Sequence, residues 1–238
     1  MTSAKPWLSI VMPVFNEASV LPAVLDRLQP WREQGAEIIL ADGGSQDDSL
    51  AVARHRVDHL IEAPVGRARQ MNAGAALASA DFLLFLHADT VLPDAAVDTL
   101  RRLAARSERA RPWCWGRFDV RIVGRSPWLA VVGFMMNWRS RLTRVSTGDQ
   151  ALFMDRPLFD AVGGFPDQPL MEDVEICKRL RSLSAPVSLR LQVSTSGRRW
   201  DANGAWFTIL LMWRLRWLYF RGESPQHLAE LYRNSRRQ

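Results

Sequence analysis

The most constraining feature of this chain is a regular exchange of two hydrophobic rhythms through its N-terminal half. Short apolar runs of strand character, Leu8 to Val14, Glu37 to Ala41, His59 to Glu62 and Phe82 to Leu86, alternate with helical patterns at Ser19 to Leu28, Asp47 to His55 and about Arg67 to Ala78. A further helix opens after Pro93. Parallel strands need a long crossover between them, and a helix is the usual crossover. The alternation therefore predicts an α/β fold, a mainly parallel sheet with helices on both faces. Ligands of such sheets collect at the carboxyl ends of the strands, so polar residues just after each apolar run become the candidates for chemistry.

Beyond Arg111 the rhythm breaks. Arg117 to Ile122 alternates charged and apolar residues as a half-exposed strand does, and Pro127 to Leu142 reads as an aromatic-rich helix. Gly148 to Pro169 reads as a loop-rich stretch, followed by a helix from about Met171 to Leu183. The sheet is expected to become mixed here. With 238 residues, 47% of them apolar, the chain has enough material for one sizeable core. One domain is assigned to residues 1–200 and a C-terminal helical appendage to 201–238.

The formal charge of +6 arises from 31 basic and 25 acidic residues, with Arg233, Arg236 and Arg237 crowding the end. No basic run alternates with stacking aromatics, which excludes a dedicated nucleic-acid module and points to an anionic ligand or a membrane surface. Cys114 and Cys177 are too few for a disulfide framework. With no leader-like N-terminus, they place the chain by expectation in the cytoplasm, with peripheral contact at the inner face of the membrane as the variant. The longest apolar stretch, Ala205 to Phe220, is interrupted by Arg214 and Arg216 and is shorter than the ~20 residues a spanning helix needs.

Four strand-end clusters carry the chemistry. Pro13-Val14-Phe15-Asn16-Glu17 ends the first strand, before a helix for which Ser19 is the expected cap. Asp42-Gly43-Gly44-Ser45 ends the second, with Asp42 aimed out of the sheet and glycines that permit close backbone approach. Gly66 to Gly74 sets Arg67 and Arg69 at a helix start, where guanidinium and free N–H groups attract phosphate. His87-Ala88-Asp89 follows the most apolar strand, and a carboxylate left there calls for a cation.

In order and spacing, these clusters resemble the inverting glycosyltransferases of family 2, which have the GT-A fold, over about residues 8 to 195. The resemblance implies that Pro13, Phe15, Glu17 and Asp42 hold the nucleoside, and that Arg67 stands in for the family's basic residue. His87-Ala88-Asp89 falls on the family's Asp-x-Asp motif with its first carboxylate replaced, as in a bacterial branch of the family. Asp89 is then the ligand of Mn²⁺ or Mg²⁺, and His87 has two readings, a ribose contact or a second ligand. Met171-Glu172-Asp173 resembles the family's Glu-Asp pair, making Asp173 the general base with Glu172 beside it. Asp149 falls in the region that faces the acceptor, and Arg198 and Arg199 stand near the departing diphosphate. The activity this resemblance implies is transfer of a sugar from a nucleotide-diphosphate sugar, UDP by default, to an acceptor the sequence does not name.

Plainer readings stand beside these. Asp42 also suits a turn cap, His87 a satisfied strand-end histidine, Glu172 and Asp173 a helix start that favours acidic residues, and Arg69 a solvated face. Trp206, Trp213, Trp217 and Phe220 share one face of a C-terminal amphipathic helix, suited either to a bilayer carrying a lipid-linked acceptor or to packing against the domain or a partner subunit. A non-catalytic relative that keeps the fold is the first rival function. A sugar-phosphate nucleotidyltransferase is the second, opposed by the absence of a Gly-rich, Arg-bearing loop after the first strand.

Overall fold

The structure, a computed structural model, describes residues 5–109 and 113–235; Arg236, Arg237 and the side chain of Arg199 lie outside the described residues. The N-terminal half runs β1 (Leu8–Val14), α1 (Leu21–Glu33), β2 (Ala36–Asp42), α2 (Ser49–Ala53), β3 (His59–Glu62), α3 (Arg67–Leu77), β4 (Phe82–Phe85), β5 (Thr90–Val91) and α4 (Ala96–Arg109). It is followed by β6 (Trp115–Val123), α5 (Trp128–Thr143), a 3-10 turn (Gly148–Gln150), β7 (Leu152–Asp155), α6 (Arg156–Ala161), α7 (Glu172–Leu183), β8 (Val187–Ser196), α8 (Arg198–Asn203), α9 (Ala205–Phe220) and α10 (Pro225–Asn234).

The eight strands form one sheet in the order β3-β2-β1-β4-β7-β6-β8-β5. β3, β2, β1 and β4 are parallel, β7 runs antiparallel to both β4 and β6, and β6 is parallel to β8. The expected α/β class and mixed, mainly parallel sheet are therefore present. β1, β2, β4 and β7 are buried along their whole length, because helices cover both faces. α1, α2, α4 and α5 bury Leu25, Ala53, Leu100 and Val132 on one side, and α3, α6, α7, α9 and α10 bury Met71, Leu158, Ile176, Leu215 and Leu228 on the other.

Several local expectations change. Val20, not Ser19, precedes α1, whose first turn instead takes Pro22, a residue with no N–H to leave unsatisfied there. The stretch read as loop-rich, Gly148 to Pro169, contains β7 and α6; β7 has only four residues, and the turn residues around it, Gly148, Pro157, Gly163 and Gly164, dominate the window. β6 is exposed only toward its end, at Arg121 and Val123; the earlier charged positions are buried, Arg117 and Asp119 being 1% and 7% exposed and bonded to each other, with Arg141 closing on Asp119 at 2.5 Å. In the C-terminal segment α10 is amphipathic, while α9 carries large apolar side chains both inward and outward. Among the described residues no helix is long and apolar enough to cross a membrane. Cys114 and Cys177 are free thiols, each pushed up to about 12 by burial.

Candidate functional site

The loops after β1 and β2 are laced together. The Asn16 N–H donates to Ser45 Oγ at 2.8 Å, Gln46 N–H to Asn16 Oδ1 at 2.8 Å, and Glu17 N–H to Ser49 Oγ at 2.9 Å. Asn16 sits at φ 54°, a left-handed conformation that asparagine tolerates better than most residues. From below, Gln70 of α3 donates its amide to the carbonyls of Val14 and Ala41 at 2.7 and 2.8 Å, fixing both strand ends. Sequence reasoning gives Gln70 no role of its own. The available signal is a polar side chain on the buried face between Ala68 and Met71.

These ends form one wall of a cleft of about 770 Å³. Pro13, Phe15 and Glu17 line it from β1, Arg67 from the start of α3, His87 and Asp89 from the end of β4, Asp149 from the 3-10 turn, Glu172 from α7 and Arg198 from α8. With Arg69, ten residues singled out in the sequence thus converge on one space. Asp42 and Asp173 do not line it.

Asp42 is fully buried, and its carboxylate accepts the N–H groups of Gly44 and Ser45 at 2.8 Å and the Ser45 hydroxyl at 2.5 Å. It shapes the loop rather than facing the cleft. Asp173 is half-buried one position behind Glu172; its carboxylate accepts from Gly148 N–H at 2.9 Å and from Val174 N–H at 2.7 Å. Met171, at φ 66°, turns the chain sharply into α7 and so presents this pair.

A tight charge cluster occupies the cleft floor. His87 Nδ1 lies 3.3 Å from Asp149 Oδ1, and a side chain at Gly148 would collide with the His87 ring, so glycine is required there. Burial and the adjacent Asp173 carboxylate both push Glu172 above the usual carboxylate range, against the pull of Arg67 and His87. Arg67 is exposed to the cleft and ringed by its walls. The surrounding protein works against its charge, but Glu172, Asp149 and Asp173 hold its guanidinium above the ordinary arginine value.

At the other end, Arg198 donates to Glu17 Oε2 at 2.7 Å and approaches Asp89 Oδ2 at 3.9 Å, joining the β1 and β4 ends. The hydrogen bond to Glu17 chiefly raises the Arg198 value. Asp89 Oδ1 lies 3.5 Å from the hydroxyls of Thr90 and Thr195. Among the described residues no three His, Cys, Asp or Glu side chains gather as a metal cage. One carboxylate at the rim fits a Mn²⁺ or Mg²⁺ ion that takes most of its oxygens from a diphosphate and water. Arg69 is paired with Asp167 at 2.7 and 3.1 Å on the cleft rim. Trp200, Tyr232 and Arg233, which gave no sequence signal as cleft residues, close the far wall.

Comparison with known proteins agrees with this geometry. The model of glycosyl transferase family 2 matches residues 9–162. A PGL/p-HBAD biosynthesis glycosyltransferase of Mycobacterium tuberculosis is 40% identical over 109 residues, 43% of this chain and 42% of that relative, so the match spans less than half of the relative's length. An uncharacterized glycosyltransferase of the same organism is 30% identical over 198 residues, covering 80% of this chain and 74% of the relative. Among solved structures, glucosyl-3-phosphoglycerate synthase from Mycobacterium tuberculosis, in complex with Mn²⁺, UDP and glucosyl-3-phosphoglycerate, superposes with a TM-score of 0.58. It has 19% identity, over 79% of this chain and 71% of that one. The parallel half-sheet with its laced strand ends, the cleft above them and the extent of these matches agree: the chain belongs to glycosyl transferase family 2 and has the GT-A fold.

Proposed function

We propose that the chain transfers a sugar from a nucleotide-diphosphate sugar, UDP-linked by default, to an acceptor hydroxyl with inversion at the anomeric carbon. The observation that carries this reading is the meeting of Glu17, Arg67, Asp89 and Arg198, from four separate elements, around one cleft at the carboxyl ends of the strands. The family membership and the Mn²⁺- and UDP-bound synthase of the same fold support it.

In this reading the nucleoside lies across Pro13, Phe15 and Glu17, and His87 borders the ribose. Arg67 and Arg198 face the diphosphate, and Arg199 is assigned to it from the sequence. Asp89 holds a Mn²⁺ or Mg²⁺ ion, which when bound neutralises charge on the leaving diphosphate. The acceptor oxygen attacks the anomeric carbon from the side opposite the leaving group. As the new C–O bond forms, the C–O bond to phosphate breaks and its electron pair departs with the nucleoside diphosphate. The acceptor proton passes to a carboxylate, assigned to Asp173, while Asp149 binds acceptor hydroxyls. A single displacement needs one base and no protein nucleophile. Because Glu172, not Asp173, lines the cleft, Glu172 is the specific alternative base. Residues 1–200 form the transferase unit in this reading, with 201–238 appended to it.

The deciding experiment is the thermal midpoint with UDP and GDP, with and without Mn²⁺, for the native chain and Asp89→Asn. Binding to the folded state must raise the midpoint. A Mn²⁺-dependent rise with one nucleotide, lost in Asp89→Asn, is expected. A nucleotide-dependent rise without donor turnover would instead favour a binding protein that has lost its chemistry, a reading to which His87, in place of the motif's first carboxylate, lends weight.

A further inference from the structure

We propose that α5 and α9 together form the platform by which this chain rests on an anionic lipid bilayer. The two helices lie side by side: the Trp128 and Trp206 rings are 4.8 Å apart near their starts, and Met136 of α5 and Ile209 of α9 pack against the same core. Both present large apolar side chains outward. Phe134 and Trp138 are 67% and 59% exposed on α5, while Leu210, Trp213, Trp217 and Phe220 are 59–63% exposed on α9.

The inward side of α9 is already engaged, with Leu215 fully buried and Leu211, Met212 and Leu218 packed against the α3–α7 core. A helix apolar on both sides is covered on both sides in its working state. At ~1.5 Å per residue α9 is shorter than the ~30 Å hydrocarbon layer, and its packed inner face holds it to the domain. It can therefore lie in the interface plane but not cross it. Tryptophan, with an apolar ring and a polar N–H, is the side chain suited to that depth.

Charge selects the occupant. Neither helix contains an Asp or a Glu, and Arg214 and Arg221 are exposed beside the tryptophans, Arg221 over the Trp217 ring at 5.1 Å. Arg144 is exposed where α5 ends. A two-fold contact with a second copy would set arginines against arginines, since each subunit offers the same patch. Anionic headgroups complement the same surface. The platform is also continuous in the chain with the cleft: α8, just before α9, contributes Trp200 to the cleft wall, and α10, just after it, contributes Gln226, Tyr232 and Arg233.

Flotation of the purified chain with phosphatidylglycerol–phosphatidylcholine vesicles and with phosphatidylcholine vesicles tests this directly, independently of any turnover. Binding to the anionic vesicles, weaker on the neutral ones, is expected. The double variant Trp213→Ser/Trp217→Ser should lower partition about tenfold or more, and Arg214→Glu/Arg221→Glu should remove the preference for anionic lipid. All four side chains are exposed or flank exposed surface, so both variants should keep the native thermal midpoint, which checks that they fold. Failure of the native chain to float with either vesicle overturns the proposal. So does a dimer that Trp213→Ser/Trp217→Ser dissociates in the absence of flotation, which would assign the platform to a second copy.

Discussion

The two halves of the sheet solve the same burial problem differently. In β3-β2-β1-β4 the strands are apolar apart from Ser9, Glu37 and His59 near the amino ends and Asp42 and Glu62 at the carboxyl ends, and the polar groups that line the cleft emerge beyond the carboxyl ends. In β7-β6-β8 charges lie inside the sheet, with Arg117, Asp119 and Asp155 all buried. The first half exposes its polar groups at its edge. The second hides charge within and brings Glu172 and Asp173 up through the turns around it. In the proposed reaction, the first half binds the donor and the second takes the proton.

The strongest way to break that separation is Asp173→Asn. Loss of a general base costs roughly 10²–10⁴-fold, so kcat with donor and acceptor should fall by that factor while the nucleotide-induced shift in thermal midpoint persists. Glu172→Gln should leave most of kcat. If the two variants exchange outcomes, the base is the cleft-lining Glu172.

The same contrast explains what could be read from the sequence. The sites marked by PVFNE, Arg67 and His87-Ala88-Asp89 are legible because each follows a short apolar run bounded by polar residues, and these residues do converge on one cleft. Asp42 shared the same signal, yet its carboxylate is occupied by its own loop, a distinction that depends on the turn geometry of Gly44 and Ser45. In β6 the period holds for Arg121, which is exposed, and misleads for Arg117 and Asp119: Arg141, 22 residues beyond Asp119, reaches back to it, and no local pattern encodes a partner so far away.

Asp119→Ala sharpens the comparison by testing that hidden charge. It leaves the Arg117 guanidinium, already disfavoured by burial, without its carboxylate. A loss of about 3–5 kcal/mol is expected from urea denaturation, and Arg117→Met/Asp119→Leu should lose much less, because both charges leave together.

Glu37 is the counterpart in the first half. Burial raises its value, but the Ser79 N–H at 2.9 Å, the Ser9 and Ser79 hydroxyls and His59 outweigh burial and hold it below the usual carboxylate range. A depressed folded value stabilises the protein above the unfolded value, ~4.3, and that contribution fades as pH falls through the folded value. Glu37→Gln should therefore lower stability by about 1–3 kcal/mol at neutral pH. The gap in thermal midpoint from the native chain should narrow on acidification below pH ~4; a gap that widens there would reverse the sign of this assignment.

The smallest expected effect concerns how tightly the binding half is packed. Gly74 sits inside α3, and a Cβ there would stand 2.5 Å from Cγ1 of Val11 in β1. Alanine favours a helix by up to ~1 kcal/mol over glycine, whereas forcing a methyl into a packed core costs about 1–3 kcal/mol. The valine is β-branched and held in a fully buried strand, so it has little freedom to yield. Gly74→Ala is thus expected to destabilise by about 1 kcal/mol net in urea titration. It should also weaken nucleotide binding, because Gln70, one helical turn earlier, holds the Val14 and Ala41 carbonyls at the cleft wall. A stabilised variant with unchanged nucleotide binding would mean that α3 can lift from the sheet without disturbing the strand ends, and that the binding half is less rigid than its packing implies.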